Sequence, residues 1–306
     1  IIGAGGALIM PSTLSILTNV FADPSERARA IGTWAGVAGV GVALGPIAGC
    51  YLLEHFSWSS VFWVNVPVVA GAVLAVRALV PRQPSEVRPL DPAGALLSIV
   101  ALVLAVYAVI EAPAHGWVSG RTLATFAAAA VAIELFVLWE RRHPTPMLDV
   151  RLFSNPRFSA PSVAITLTFF AMAGAVFLLT QYLQFVLGFS PLRAGVGILP
   201  AAVALFLASS ASAHLASHVG VRAALAIGLS VAALGLGFQA LVTDGTGYLP
   251  VGIGQTLLGL GLGLAMAPAT TSIMASLPAE RAGIGSAVND TTREVGSALG
   301  VAVVGS

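Results

Sequence analysis

Lysine is absent from the 306 residues, cysteine occurs once, at Cys50, and charged residues make up only 9% of the chain. Each scarcity excludes a class of protein. A lone cysteine builds neither an internal disulfide framework nor a multi-cysteine metal centre, and inside an apolar segment it reads as a small packing residue. Soluble globular domains carry about 25% charged residues, so this chain is not one of them. A net charge of +1 offers no basic field to nucleic acid. No G-x-S-x-G, H-E-x-x-H, C-x-x-C or P-loop pattern occurs, and the glycine cluster around Gly259 and Gly261 follows no strand, so no enzyme motif, cofactor or metal site is assigned.

What is present is apolar: 57% of residues are hydrophobic, and mean hydropathy is +0.93. Crossing a bilayer as a helix takes about 20 apolar residues, and such stretches recur along the whole length. Ten spans are predicted: Ile1 to Phe21, Arg27 to Leu53, Trp58 to Val80, Pro92 to Glu111, Arg121 to Arg142, Phe158 to Leu187, Pro191 to Ala216, Val221 to Val242, Tyr248 to Ser276 and Ala282 to Ser306. The expected fold class is therefore all-α, a polytopic membrane protein in contact with the lipid bilayer. The chain opens without Met on an apolar run and stops inside the tenth span, which predicts a fragment of a longer protein.

Arginine sets the orientation. Odd-numbered connectors hold 11 of the 14 arginines, even-numbered ones hold only Arg121 and Arg193, and Arg293 lies within the last span. By the positive-inside rule the odd connectors face the cytoplasm. Exclusive use of Arg, with abundant Ala, Gly, Val and Pro, hints at GC-rich coding and a bacterial cell membrane.

An internal repeat organises the chain. "GALIMPSTLSI" from Gly6 matches "GLAMAPATTSI" from Gly263 at 5 of 11 positions, and "PSERARAIG" from Pro24 is echoed by "PAERAGIG" from Pro278. Both connectors are on the same side, so the copies run parallel, as in transporters built from two bundles about a membrane-normal axis. Two Pro- and charge-rich connectors, from Pro81 and from Arg141, bracket a pair of spans. The predicted organisation is 1–80, the last three helices of an N-terminal bundle; 81–157, two inserted helices with their linkers; and 158–306, the first five helices of a C-terminal bundle.

The stretch "GVALGPIAG", 41–49, concentrates residues that weaken a helix, Gly by about 1 kcal/mol and Pro by about 3 kcal/mol. Four-residue spacing leaves a flat strip that another helix backbone can approach. With Gly32, Gly41, Gly45, Pro46 and Gly49 it resembles the helix-five antiporter motif of the major facilitator superfamily, and within it the fourteen-helix drug:proton antiporters of the EmrB/QacA type. Only Cys50 departs, where the motif has a second glycine. "IIGAGGALIMP" looks like the end of the family's helix-four motif, "WSSVFWVNVP" from Trp58 resembles the start of helix six, and "YLQFVLGFSPLRAGVGILP" from Tyr182 resembles the stretch joining helices nine and ten. "LASHVGVR" is a degenerate gating-loop motif, with Ser217 and His218 where the family has Asp and Arg.

The resemblance implies helices four to thirteen of an alternating-access exporter that trades protons for drugs or other hydrophobic and cationic small molecules. A metabolite or self-made antibiotic is the alternative cargo, and a polytopic membrane enzyme or receptor a remote one. Charge inside a membrane costs roughly 2.5 to 3.5 kcal/mol per residue, so Asp290, Arg293 and Glu294, on one helix face, are the candidate coupling or ion-pair residues. Asn65, Gln181, Gln184, Gln239, Gln255 and Asn289 are the candidate cavity-lining residues. Glu134 reads as snorkelling to the headgroups, and Tyr107 and Glu111 as interfacial.

Overall fold

Helix starts are written as a recurring pair, a capping residue followed by proline: Asp23-Pro24, Asp91-Pro92, Asn155-Pro156 and Ser190-Pro191. The cap accepts N–H groups that the first turn leaves unpaired, and proline loses nothing there because its N–H would have no partner. A computed structural model describes residues 2–21, 23–79, 91–243, 245–278 and 281–305. In it all four caps close: Asp23 accepts from the amides of Ser25 and Glu26, Asp91 from Gly94, Asn155 from Arg157 and Ser190 from Arg193. The hydroxyl of Ser25, then the Glu26 amide, hold the Asp23 carboxyl below its usual range. The Pro-rich connector from Pro81, the Glu280 echo and the side chain of Pro46 lie outside the described residues.

The described chain is helical. α1 (Ile2–Val20), α2 (Pro24–His55), α3 (Ser60–Trp63) and α4 (Asn65–Leu79) precede the helix pair α5 (Pro92–His115) and α6 (Gly120–Arg142). A 3₁₀ turn (Val150–Ser154) leads to α7 (Pro156–Gln181), which ends in a π turn (Tyr182–Val186). Then follow α8 (Pro191–Gly197), α9 (Leu199–Val219), α10 (Val221–Ala240), α11 (Tyr248–Ala275) and α12 (Ala282–Val304).

Ten rods result, with two interruptions that the span list did not foresee. The third span breaks at Val64 between α3 and α4, and the seventh at Ile198 between α8 and α9. Pro67 and Pro200 explain both, since proline donates no hydrogen bond to the preceding turn and disfavours helical geometry just before it. Among the described residues, seven of the rods are long and apolar enough to cross a membrane on those grounds alone.

α11 is the central rod: it packs on α10, α9, α7 and α2 and buries residues on all sides, from Val251 to Met274. Glycine permits this closeness. A Cβ at Gly259 would run into the Ala201 carbonyl of α9, and one at Gly261 into the Ala232 backbone of α10. On α12, Gly296 and Gly300 stand against the Thr166 and Phe170 carbonyls of α7 in the same way. Dispersion contacts across these seams replace the helix propensity that glycine gives up. α5 and α6 pack on each other as a pair, and α4 turns large apolar side chains such as Val68 and Leu74 outward.

Candidate functional site

α1 and α2, from before the α5–α6 pair, meet α11 and α12, from after it, in one cluster: Leu14, Ile31 and Ala35 pack with Ala267, Met274 and Ala282. Polar contacts cross the same seam. The Ser286 hydroxyl of α12 donates to the Pro11 carbonyl of α1 at 2.7 Å, and the Ser209 hydroxyl of α9 donates to the Gly32 carbonyl of α2 at 3.4 Å.

The charged residues of α12 lie beside this seam. Arg293 is 7% exposed, with its guanidinium 4.7 Å from the ring centroid of Trp34 on α2 and 5.1 Å from that of Phe169 on α7. It is a cation between two aromatic faces, an arrangement worth about 2 kcal/mol when desolvated. Its Nε and Nη2 have no hydrogen-bond partner, and it forms no ion pair among the described residues. Asp290, one turn away, is half-buried, with Oδ2 unpartnered and Oδ1 accepting from Asn289 Nδ2 at 3.3 Å. Asn289 is fully buried and accepts at Oδ1 from the Thr270 hydroxyl of α11 at 3.0 Å. Thr270, Asn289, Asp290, Arg293 and Trp34 therefore form one polar inlay in an apolar joint. Glu294 is exposed and makes no hydrogen bond to the inlay among the described residues.

The other uncharged candidates separate. Gln255 of α11 is buried, borders a cavity of about 30 Å³ and donates to Gln239 of α10 at 3.4 Å. Gln184 sits half-buried in the π turn, while Asn65 and Gln181 are exposed, Asn65 donating to the Val61 carbonyl of its own turn.

The glycine-spaced helix α2 has two unlike stretches. Gly32, Gly36 and Gly39 are packed against Ser209, Phe206 and Leu205 of α9. Around Gly41, Gly45 and Gly49, a Cβ would meet nothing within 4 Å. No helix backbone occupies that strip among the described residues, contrary to what the spacing alone suggests. Cys50 is free and half-buried.

Sequence reading passed over two features. Trp34 carries no motif; only its being the one tryptophan in a Gly- and Ala-rich helix marks it. The α5–α6 pair is fastened at both ends by polar clusters. At one end, Arg121 reaches the Tyr107 hydroxyl at 3.1 Å and Glu111 at 3.9 Å. At the other, the Trp139 indole N–H donates to the buried Asp91 carboxylate, beside buried Glu140. Hydrogen bonding from the Gly94 amide holds the Asp91 carboxyl below its usual range.

Among the described residues, ten helical rods, most of them largely apolar, with α1 and α2 packed against α11 and α12 around one inlaid polar joint, define a multi-pass membrane protein. The chain belongs to the Major Facilitator Superfamily, whose family model matches residues 1–301. It is similar to the multidrug resistance protein Stp of Mycobacterium tuberculosis, 37% identical over 305 residues, covering 99% of this chain and 57% of that protein. It is also similar to the multidrug efflux pump LfrA of Mycolicibacterium smegmatis, 37% identical over 308 residues, 100% of this chain and 61% of the relative. The tetracenomycin C resistance and export protein of Streptomyces glaucescens is 36% identical over 308 residues, 99% and 56% respectively. The chain thus spans somewhat under two thirds of the length of these curated relatives. As a multi-pass member of this superfamily it resides in the cytoplasmic membrane.

Proposed function

We propose that this protein is a proton-coupled exporter of the fourteen-helix drug:proton antiporter type, moving hydrophobic or cationic small molecules by alternating access. The observation that carries the reading is Arg293, a buried cation held between Trp34 of α2 and Phe169 of α7 with Asp290 one turn away. A charge retained at such expense, at the joint between segments on either side of the inserted pair, suits a device whose energy changes when that joint rocks. On this reading α1–α4 belong to one bundle, α7–α12 to the other, and α5–α6 are the insert. Protonation of Asp290 neutralises the charge beside Arg293 and biases the joint toward one of its two arrangements, which is how proton entry drives cargo out. Gln239, Gln255 and Asn289 are the polar groups best placed to meet cargo, and the open strip of Gly41, Gly45 and Gly49 is a surface for contacts made as the bundles move.

The relatives named for multidrug resistance and efflux support drug-like cargo. The relative named for tetracenomycin C export supports a second reading, in which the cargo is a self-made antibiotic or another metabolite. Proteoliposomes holding the complete protein test both. An imposed pH gradient should drive uptake or release of a lipophilic cation such as ethidium. Gradient-driven flux of an uncharged polyketide, with none of the cation, would move the assignment to the second reading, and absence of any gradient-driven flux would overturn both.

A further inference from the structure

One end of the α5–α6 pair holds two buried carboxylates with no cation hydrogen-bonded to either among the described residues. Asp91, the N-cap of α5, is 7% exposed; its Oδ1 accepts from the Gly94 amide at 2.8 Å, and its Oδ2 from the Trp139 indole at 3.0 Å. Glu140 of α6 is 3% exposed; its Oε2 accepts from the Leu148 amide at 3.1 Å, and its Oε1 is buried with no partner. A Cβ built on Gly94 would lie 2.5 Å from Asp91 Oδ2 and 2.8 Å from Glu140 Oε1, so both oxygens crowd the same point of α5.

Among the described residues, the charged groups around this point are His143, Arg141, Arg142, Arg281 and Asp149. His143 Nδ1 lies 3.9 Å from Asp91 Oδ2 without forming a hydrogen bond. Arg141 and Arg142 are exposed at the helix end, and across the adjoining cavity Arg281 of α12 pairs with Asp149 at 3.9 Å. Among the described residues no group of His, Cys, Asp and Glu is arranged to hold a metal ion. Two carboxylates this close in a buried setting do not both ionise.

We propose that Asp91 and Glu140 form a proton-binding site, with Glu140 Oε1 carrying a proton that it donates to Asp91 Oδ2. The shared proton gives the orphaned oxygen its partner and removes the repulsion between α5 and α6. Asp91 remains the ionised member, since the Gly94 amide and the Trp139 indole both donate to it, while Glu140 accepts only from the Leu148 amide. Gly94 is the residue that leaves room for the contact. The cavity beside the site, about 790 Å³ and lined by Asp91, Asp149, Arg281 and Ile284 among others, lets the proton exchange with water between the α6–α7 connector and the start of α12. Loss of the proton leaves facing anions, so the hold of α5 on α6 weakens as pH rises through the titration of the pair.

Infrared difference spectroscopy on the purified full-length protein reads this directly. Wild type minus Glu140→Gln should contain one protonated-carboxyl C=O band at neutral pH that shifts in deuterated buffer and disappears at alkaline pH. Wild type minus Asp91→Asn should contain the same band, because the amide introduced by that substitution would donate to an ionised Glu140. The thermal midpoint of Glu140→Gln, whose amide donates as the acid does, should lose the decline that wild type undergoes on the alkaline side. No difference band with either variant, or an alkaline decline that Glu140→Gln retains in full, would overturn the proposal.

Discussion

Along α11 and α12, glycines stand where a neighbouring backbone touches the helix, whereas Gly41, Gly45 and Gly49 of α2 border open space. All follow small-residue spacing, and on α2 itself Gly32, Gly36 and Gly39 do meet α9 a few residues before the strip opens. Spacing therefore encodes the capacity for close approach. Whether the capacity is used depends on what the rest of the fold places opposite. The filled seams hold α7 and α9–α12 together; the open strip and the Arg293 joint lie where that body meets α1 and α2.

The sharpest way to break the comparison is to add bulk at both kinds of glycine. Gly261→Leu pushes a side chain into the Ala232 backbone, which has no flexible end to yield, and should cost about 3 kcal/mol or more, read as collapse of the thermal midpoint or failure to recover monodisperse protein. Arg293→Ala comes next. Loss of the Trp34 and Phe169 contacts should cost about 2 kcal/mol and abolish export, and Arg293→Lys should restore less than half of the loss because an ammonium lacks the planar face.

Smaller effects sharpen the contrast. Thr270→Val takes the donor from buried Asn289 and should cost about 1 kcal/mol by denaturant titration in detergent. Gly45→Leu should change stability by less than about 0.5 kcal/mol, there being no atom to displace, yet reduce export to background if the strip is used during transport. Acid should act on the insert last. The Asp91 carboxyl titrates below the usual Asp value, about 3.9, so its contribution is complete above that pH and is lost only as pH falls through the lowered value. Asp91→Asn should flatten the acid limb of a stability profile and lower its neutral plateau, where the carboxylate's contribution is otherwise complete.

Much of the fold was legible because its causes are local. Twenty-residue apolar runs, Asp-Pro and Ser-Pro starts, and glycine spacing each act within one helix, and they recover the ten rods. The breaks at Val64 and Ile198 were missed because apolar continuity outweighed Pro67 and Pro200 when spans were drawn. Asp290, Arg293 and Asn289 stood out as polar residues in an apolar run. Their partners did not: Trp34 is 259 positions from Arg293, and no periodicity links two helices so far apart. Asp91 and Glu140 were overlooked for the opposite reason, since charge near a predicted helix end reads as solvated until packing shows it buried.

The central claim is that charge at the α2–α7–α12 joint couples proton entry to export. Its most direct test is pH-gradient-driven flux in proteoliposomes of the complete protein, wild type against Asp290→Asn, with substrate binding measured alongside. Gradient-driven flux should vanish in the variant while binding and passive exchange persist. Undiminished gradient-driven flux in Asp290→Asn would contradict the account.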